Sequence, residues 1–209
     1  MIPGNKNRSI ISIALLALLV AVNYYCSQPT AKDDSANTAA PKEMTASEKL
    51  ARGRYLVTLG GCNDCHTPKV FTATGPVFDS TRILSGHPAG SPLPEITYDA
   101  SKPGNWMLFA PDLTAAAGPW GISFSANLTP DSTTGIGAWT TENFIKTIRT
   151  GKHLGMEGGR PILPPMPWQS MAEITDEDLS LIFGYLKSLP PIKNQVPAPV
   201  PPTDLMKKK

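Results

Sequence analysis

Residues 60–68 read GGCNDCHTP: Cys62 and Cys65 are separated by two residues, and His66 follows the second directly. Three chemistries are open to such a cluster: attachment of a haem, half of a metal site, or a redox-active dithiol. The flanking chain discriminates among them. A structural zinc site takes four ligands, usually including a second pair at similar spacing, but no cysteine follows Cys65, and His87 and His153 are isolated. A redox pair opens a helix after a hydrophobic strand. Here the preceding TASEKLARGRYLVTLGG (45–61) reads as a helix. Thr45 is its N-cap with Glu48 three residues on, Leu50, Val57 and Leu59 are its apolar positions, and Gly60 and Gly61 are its stop. Two thiols at this spacing can instead add to the two vinyl groups of one haem, while the adjacent imidazole becomes the proximal iron ligand. One motif implies one covalent haem.

The rest of the chain is consistent with a loop-rich domain outside the cytoplasm. Twenty-two prolines among 209 residues, with 7% aromatics, point to short elements rather than a large sheet. Lys6 and Arg8 precede the apolar run IISIALLALLVAV (10–22), the pattern of an export signal over residues 1–25. Even counted from Ile10 to Tyr25, a helix at roughly 1.5 Å per residue would rise only about 24 Å, short of a bilayer core of about 30 Å. A retained anchor helix is the alternative. Without this segment the chain holds seventeen basic and seventeen acidic residues. The formal charge of +2 therefore says nothing of nucleic acid, and no basic stripe studded with aromatics supports it.

Cys26 follows the apolar run and precedes a polar stretch rich in Ala, Thr, Ser and Asp. This looks like a bacterial lipoprotein, cut before a lipid-modified Cys26 and continued by a flexible membrane tether over residues 26–45. Tyr24 and Tyr25 stand where such signals carry a small residue. Lipidation and export would place the domain on the periplasmic or exterior side of a bacterial membrane.

A haem bound by His66 needs a sixth ligand or an open face. Met107 and Met171 read as ordinary apolar contacts, and Met156 lies in a glycine-rich run. Met166 is different: in RPILPPMPWQS (160–170) it is flanked by Pro164, Pro165 and Pro167, whose fixed φ leaves the loop little freedom. A stiff loop suits a weak thioether ligand, because little ordering cost remains when the bond forms. His87, in LSGHPAG, is the rival, and His153 ranks behind it.

The span from Ala46 to Pro197 resembles a class I cytochrome c, particularly the larger domains of bacterial respiratory and dehydrogenase electron-transfer chains. The resemblance rests on GRYLVTLGGCNDCHTP, SANLTPDSTTGIGAWTTENFIKTIRTGKH, ILPPMPW and ITDEDLSLIFGYLKSLPPIKNQVP, in that order. It implies that Cys62 and Cys65 carry the haem thioethers, that His66 is the proximal and Met166 the distal ligand, and that the first and last helices cross with Gly53 against Tyr185. Two further helices read independently. Thr140 caps one with Phe144, Ile145 and Ile148 on one face and Gly151 at its end. Thr175 caps another with an acidic first turn and the stripe Leu179, Ile182, Phe183 and Leu186.

The expected fold is therefore all-α: a cytochrome c domain over residues 46–192 made of short helices around one haem c, with a long loop-rich insertion after the haem motif and a proline-rich tail over 193–209. Between Gly75 and Gly121 no helix is legible, and strands there are unassignable. The expected function is single-electron transfer between redox proteins, whether a dehydrogenase, a cytochrome complex or a terminal oxidase, without catalysis by the chain itself. A haem enzyme or sensor with a displaceable sixth ligand is the alternative.

Overall fold

The computed structural model describes residues 43–96 and 107–205. The signal, Cys26 and most of the tether lie outside them. Helix α1 (Ala46–Leu59) starts where the sequence predicts, in a reciprocal cap: Glu48 N–H donates to Thr45 Oγ1 at 3.2 Å, and Thr45 N–H donates to Glu48 Oε2 at 2.7 Å. It ends at Gly60. Gly61, at φ +63°, turns the chain into the single-turn helix α2 (Cys62–His66) through a left-handed conformation that a side chain resists.

Beyond α2 the chain is not all-α. Strands β1 (Lys69–Thr72) and β2 (Gly75–Phe78) pair as an antiparallel hairpin, and β3 (Leu108–Phe109), β4 (Ala115–Gly118) and β5 (Gly121–Phe124) form a three-stranded antiparallel sheet in sequence order. The fold is mixed α and β, and the expectation of an all-helical domain is corrected by these two sheets. The region read as an insertion supplies them. Their segments escape a pattern reading because they are two to four residues long and because β4, AAAG, is buried along its whole length, so no alternation marks it.

The chain then returns to helices: α3 (Thr141–Thr150), α4 (Trp168–Met171), α5 (Asp176–Lys187) and α6 (Pro202–Leu205), with a 3₁₀ turn over His153–Gly155. Thr140 caps α3 in a box with Asn143, and Thr175 Oγ1 caps α5 by accepting from Asp178 N–H. The predicted stripe of α5 is the buried one, with Leu179, Ile182, Phe183 and Leu186 all at 5% exposure or less. These residues join Val57, Leu84, Ile136, Phe144 and Ile148 in the main core. A smaller core forms where Ala117 and Ile122 of the sheet meet Ile96, Leu108, Phe124, Val200 and Leu205.

Of the three apolar positions read in helix α1, only Val57 is buried, and Gly53 joins it; Leu50 and Leu59 are exposed. The cause is the crossing with α5: a Cβ on Gly53 would lie 2.2 Å from Leu181 O and 2.8 Å from Tyr185 Cβ. The helices approach as closely as they do because nothing projects there.

Two asparagines stitch the segment after α5 to the loops around the first helices. Asn127 Nδ2 donates to Ile192 O at 2.8 Å, while its Oδ1 accepts from Thr129 N (3.0 Å) and Thr129 Oγ1 (2.7 Å). Asn194 Nδ2 donates to Ser85 O (2.7 Å) and His87 O (2.9 Å), and its Oδ1 accepts from Ala89 N (2.9 Å). Further on, Val200 exchanges backbone hydrogen bonds with Ile122 of β5. Residues 193–205, expected as a tail, thus lie folded on the domain. Among the described residues no helix is long and apolar enough to cross a membrane.

The helix crossing and the asparagine stitches each carry a stability prediction. Gly53→Ala should destabilise the protein by about 2–3 kcal/mol through overpacking, whereas Gly184→Ala, with open space at its Cβ on the same helix crossing, should stabilise it by up to about 1 kcal/mol through helix propensity. Denaturant titration of both variants checks the contrast. Asn127→Ala should cost about 2–4 kcal/mol, because Ile192 O and the buried Thr129 groups lose partners, read as a lower midpoint in the same titration.

Candidate haem-binding site

Helix α2 is one turn, so Cys62 and Cys65, three residues apart, lie on the same side of it. Both are free, half-buried thiols, and Cys62 borders the main core. Burial pushes the Cys62 thiol up to about 11 and raises Cys65 as well. A working dithiol needs the opposite, a thiol with its pKa lowered toward neutrality. Among the described residues no three His, Cys, Asp or Glu side chains gather as a metal cage.

His66 ends the turn and is buried. Its Nδ1 lies 2.8 Å from the carbonyl oxygen of Ala126. A carbonyl only accepts, so Nδ1 carries the proton and donates it, leaving the lone pair on Nε2. Burial pulls the imidazole pKa down and keeps the ring neutral, with the Ala126 contact opposing this more weakly. A neutral imidazole with one nitrogen tied to a carbonyl and the other free is the arrangement of a histidine prepared to ligate metal.

The backbone of the motif is fastened as firmly. Gly86 N donates to His66 O at 2.8 Å. Thr67 has no exposed surface; its Oγ1 donates to Asn63 Oδ1 at 2.8 Å and accepts from Leu84 N at 2.8 Å. Lys69 Nζ donates to Asp64 O and to Asp112 O, both at 2.6 Å. The segment Leu84–His87 lies in turn beside residues 125–128, through Leu128 N to Leu84 O and His87 N to Ser125 O, each 2.9 Å. Nothing in the sequence singles out these partners. Ala126 acts through its backbone, which no residue type announces, and Thr67 is one hydroxyl among many.

Met166 is half-buried in its proline loop, where the Pro164–Pro165 peptide is cis. The loop is held at three points: Ile162 N to Gly151 O at 2.7 Å, Trp168 N to Met166 O at 2.9 Å, and Ser123 Oγ to Pro164 O at 2.6 Å. Ser123 lies in β5, three residues before Ala126, so His66 and the Met166 loop are tied to the same short stretch of chain. The rival histidines are elsewhere engaged. His87 is buried, its Nδ1 lies 2.7 Å from Thr114 Oγ1, and its ring packs on Phe124 with centroids 4.9 Å apart. His153 is exposed, edge-on to Trp139 at 5.3 Å. Cys26 lies outside the described residues.

No family model matches the chain. It is 30% identical over 153 residues to the gluconate 2-dehydrogenase cytochrome c subunit of Pantoea cypripedii, covering 73% of this chain and 24% of that protein. It is 28% identical over 171 residues to the fructose dehydrogenase cytochrome subunit of Gluconobacter japonicus, covering 77% of this chain and 27% of that one. With the cytochrome c subunit of the quinone alcohol dehydrogenase of Gluconacetobacter polyoxogenes the identity is 29% over 163 residues, 73% of this chain and 28% of the relative. The chain spans about a quarter of the length of these relatives. The similarity to these cytochrome subunits of dehydrogenases thus runs along about three quarters of the chain.

Proposed function

We propose that the chain is a single-electron carrier built on one haem c, held through thioethers by Cys62 and Cys65 and ligated by His66 Nε2 and the Met166 sulfur. The observation that carries this reading is the His66 Nδ1 contact to Ala126 O, which leaves Nε2 free one residue after two unpaired thiols. The bound group would supply reversible one-electron exchange between ferric and ferrous iron. The residues do the rest. Two thioether bonds from Cys62 and Cys65 would fix the group, and a neutral imidazole with a neutral thioether would favour the ferrous form over more basic ligand pairs and leave no ligand position for a substrate. The chain therefore passes electrons and leaves the oxidation of substrate to a partner.

By analogy with the dehydrogenase subunits it resembles, that partner is a dehydrogenase, with a cytochrome complex or terminal oxidase on the accepting side. We place the domain outside the cytoplasm, exported by residues 1–25 and held to a bacterial membrane through a lipid on Cys26. The polar stretch after Cys26 would serve as the tether.

Two measurements test the assignment. The alkaline pyridine spectrum of protein made with a haem-attachment system should report two thioethers, falling to one in Cys62→Ser or Cys65→Ser; haem that can be extracted by acidified organic solvent would overturn it. Met166→Ala should abolish the sulfur-to-iron band of the ferric protein and raise imidazole affinity at least about ten-fold, a loss of roughly 1.4 kcal/mol or more of ligand competition. Met107→Ala should change neither. An unchanged Met166→Ala spectrum would remove Met166 from the site.

A further inference from the structure

We infer that Ser123 is the positioning residue of the Met166 loop, gripping it from the strand that leads to the acceptor of the His66 ring. This rests on the assignment of Met166 as distal ligand. Ser123 is buried in β5, and its hydroxyl is fully engaged: Trp120 Nε1–H donates to Oγ at 3.2 Å, and Oγ donates to Pro164 O at 2.6 Å. Ala116 O lies further away, at 3.4 Å. A hydroxyl has one proton to give, and the shorter contact takes it.

The loop needs such a grip because its own sequence denies it one. Pro164, Pro165 and Pro167 have no N–H, so the chain around Met166 is short of donors for tying itself down. Trp168 N–H closes on Met166 O inside the loop, and an outside donor acting on a carbonyl is the means of tying this stretch to the rest of the domain. Ser123 supplies one two residues before Met166, and the fixed φ of the intervening proline passes the position of the Pro164 carbonyl on toward the methionine backbone. Of the other two ties, Ile162 N holds the start of the loop to Gly151 O, and Trp168 N closes on the Met166 carbonyl within the loop without joining it to the rest of the domain.

The same strand serves the opposite side. Ala126, three residues after Ser123 and at most roughly 10 Å further along the chain, accepts from His66 Nδ1. A thioether is a weak axial ligand, so its occupancy depends on how well the loop is held. The hydroxyl of Ser123 is the contact that sets this, and removing it should loosen the sulfur without disturbing the thioether attachment.

The test compares Ser123→Thr with Ser123→Val, which have nearly the same shape and differ in the hydroxyl, in haem-loaded protein. Readouts are the sulfur-to-iron band, the affinity of the ferric form for added imidazole, and the pyridine spectrum as a control for attachment. Ser123→Val should bind imidazole about three- to ten-fold more tightly, the span expected from one lost hydrogen bond. Ser123→Thr should stay within about two-fold of the parent, with two thioethers in both. Equal affinities in the two variants, whether both raised or both unchanged, would overturn the inference. If the strand does not accept valine, Ser123→Ala against Ser123→Thr gives the same comparison. Met166→Ala separates the two layers: loss of the band there with a parent-like Ser123→Val sinks the role of Ser123 alone, whereas an unchanged band in Met166→Ala sinks the ligand assignment beneath it.

Discussion

The hydrogen bond from His66 Nδ1 to the Ala126 carbonyl is the contact around which the first half of the domain is arranged. A buried imidazole has two nitrogens to account for, and leaving one unpaired costs about 1–3 kcal/mol. Pairing Nδ1 with an oxygen that can only accept settles the tautomer and the direction of the ring together. It also joins residues sixty positions apart, fastening the short turn of α2 to the chain that leaves the sheet. The bonds beside it repeat the same connection: Gly86 to the His66 carbonyl, Thr67 to Leu84, Leu128 to Leu84 and His87 to Ser125. The motif is thereby held by a small irregular ladder of backbone groups rather than by helix packing alone.

Irregular chain at a buried place has to find partners for every N–H and C=O. Around residues 84–89 and 125–134 no helix or strand provides them, and side-chain amides do so instead. Asn127 and Asn194 each offer donors and an acceptor on one planar group, which is why each can satisfy three backbone or hydroxyl partners at once. The apolar core stays on the other side, between α1, α3 and α5, where the buried stripe of α5 meets Val57, Phe144 and Ile148. The structure thus divides its work: helices bury surface, and a polar network positions the loops of the proposed site.

That division explains what is legible in the sequence. The helices announce themselves locally, through Thr45 with Glu48, through Thr140 and Thr175, and through the 3.6-residue spacing of Leu179, Ile182, Phe183 and Leu186. The buried face of α1 announces itself less through its own pattern, because beside Val57 it is defined by an absence, the missing side chain of Gly53, which only the resemblance pairs with Tyr185. The strands are illegible for a related reason: Ala115–Gly118 has neither alternation nor β-forming residues, and it is a strand because Gly121–Phe124 pairs with it. In the candidate site the chemistry-bearing side chains, Cys62, Cys65, His66 and Met166, stand out by type and spacing. The groups that orient them are a backbone carbonyl at Ala126 and a hydroxyl at Ser123, and only the folded chain brings either within reach.

The sheet then has a purpose that a helical domain would have to meet in another way. The proposed electron transfer would favour a centre whose surroundings change little between oxidation states, which means groups already held where both states need them. Helix α2 carries His66 and the proline loop carries Met166, and these two pieces belong to distant parts of the chain. Their connection runs through β5 and its continuation: Ser123 grips Pro164, and Ala126 receives the imidazole proton. Val200 pairs with Ile122 on the same strand, so the end of the described chain is fastened to it as well. A strand paired on one side by β4 and held on the other by the returning chain is a stiff member. Tying both proposed ligand-bearing segments to this strand and its continuation puts their two anchor points, Ser123 and Ala126, three residues apart on one piece of chain.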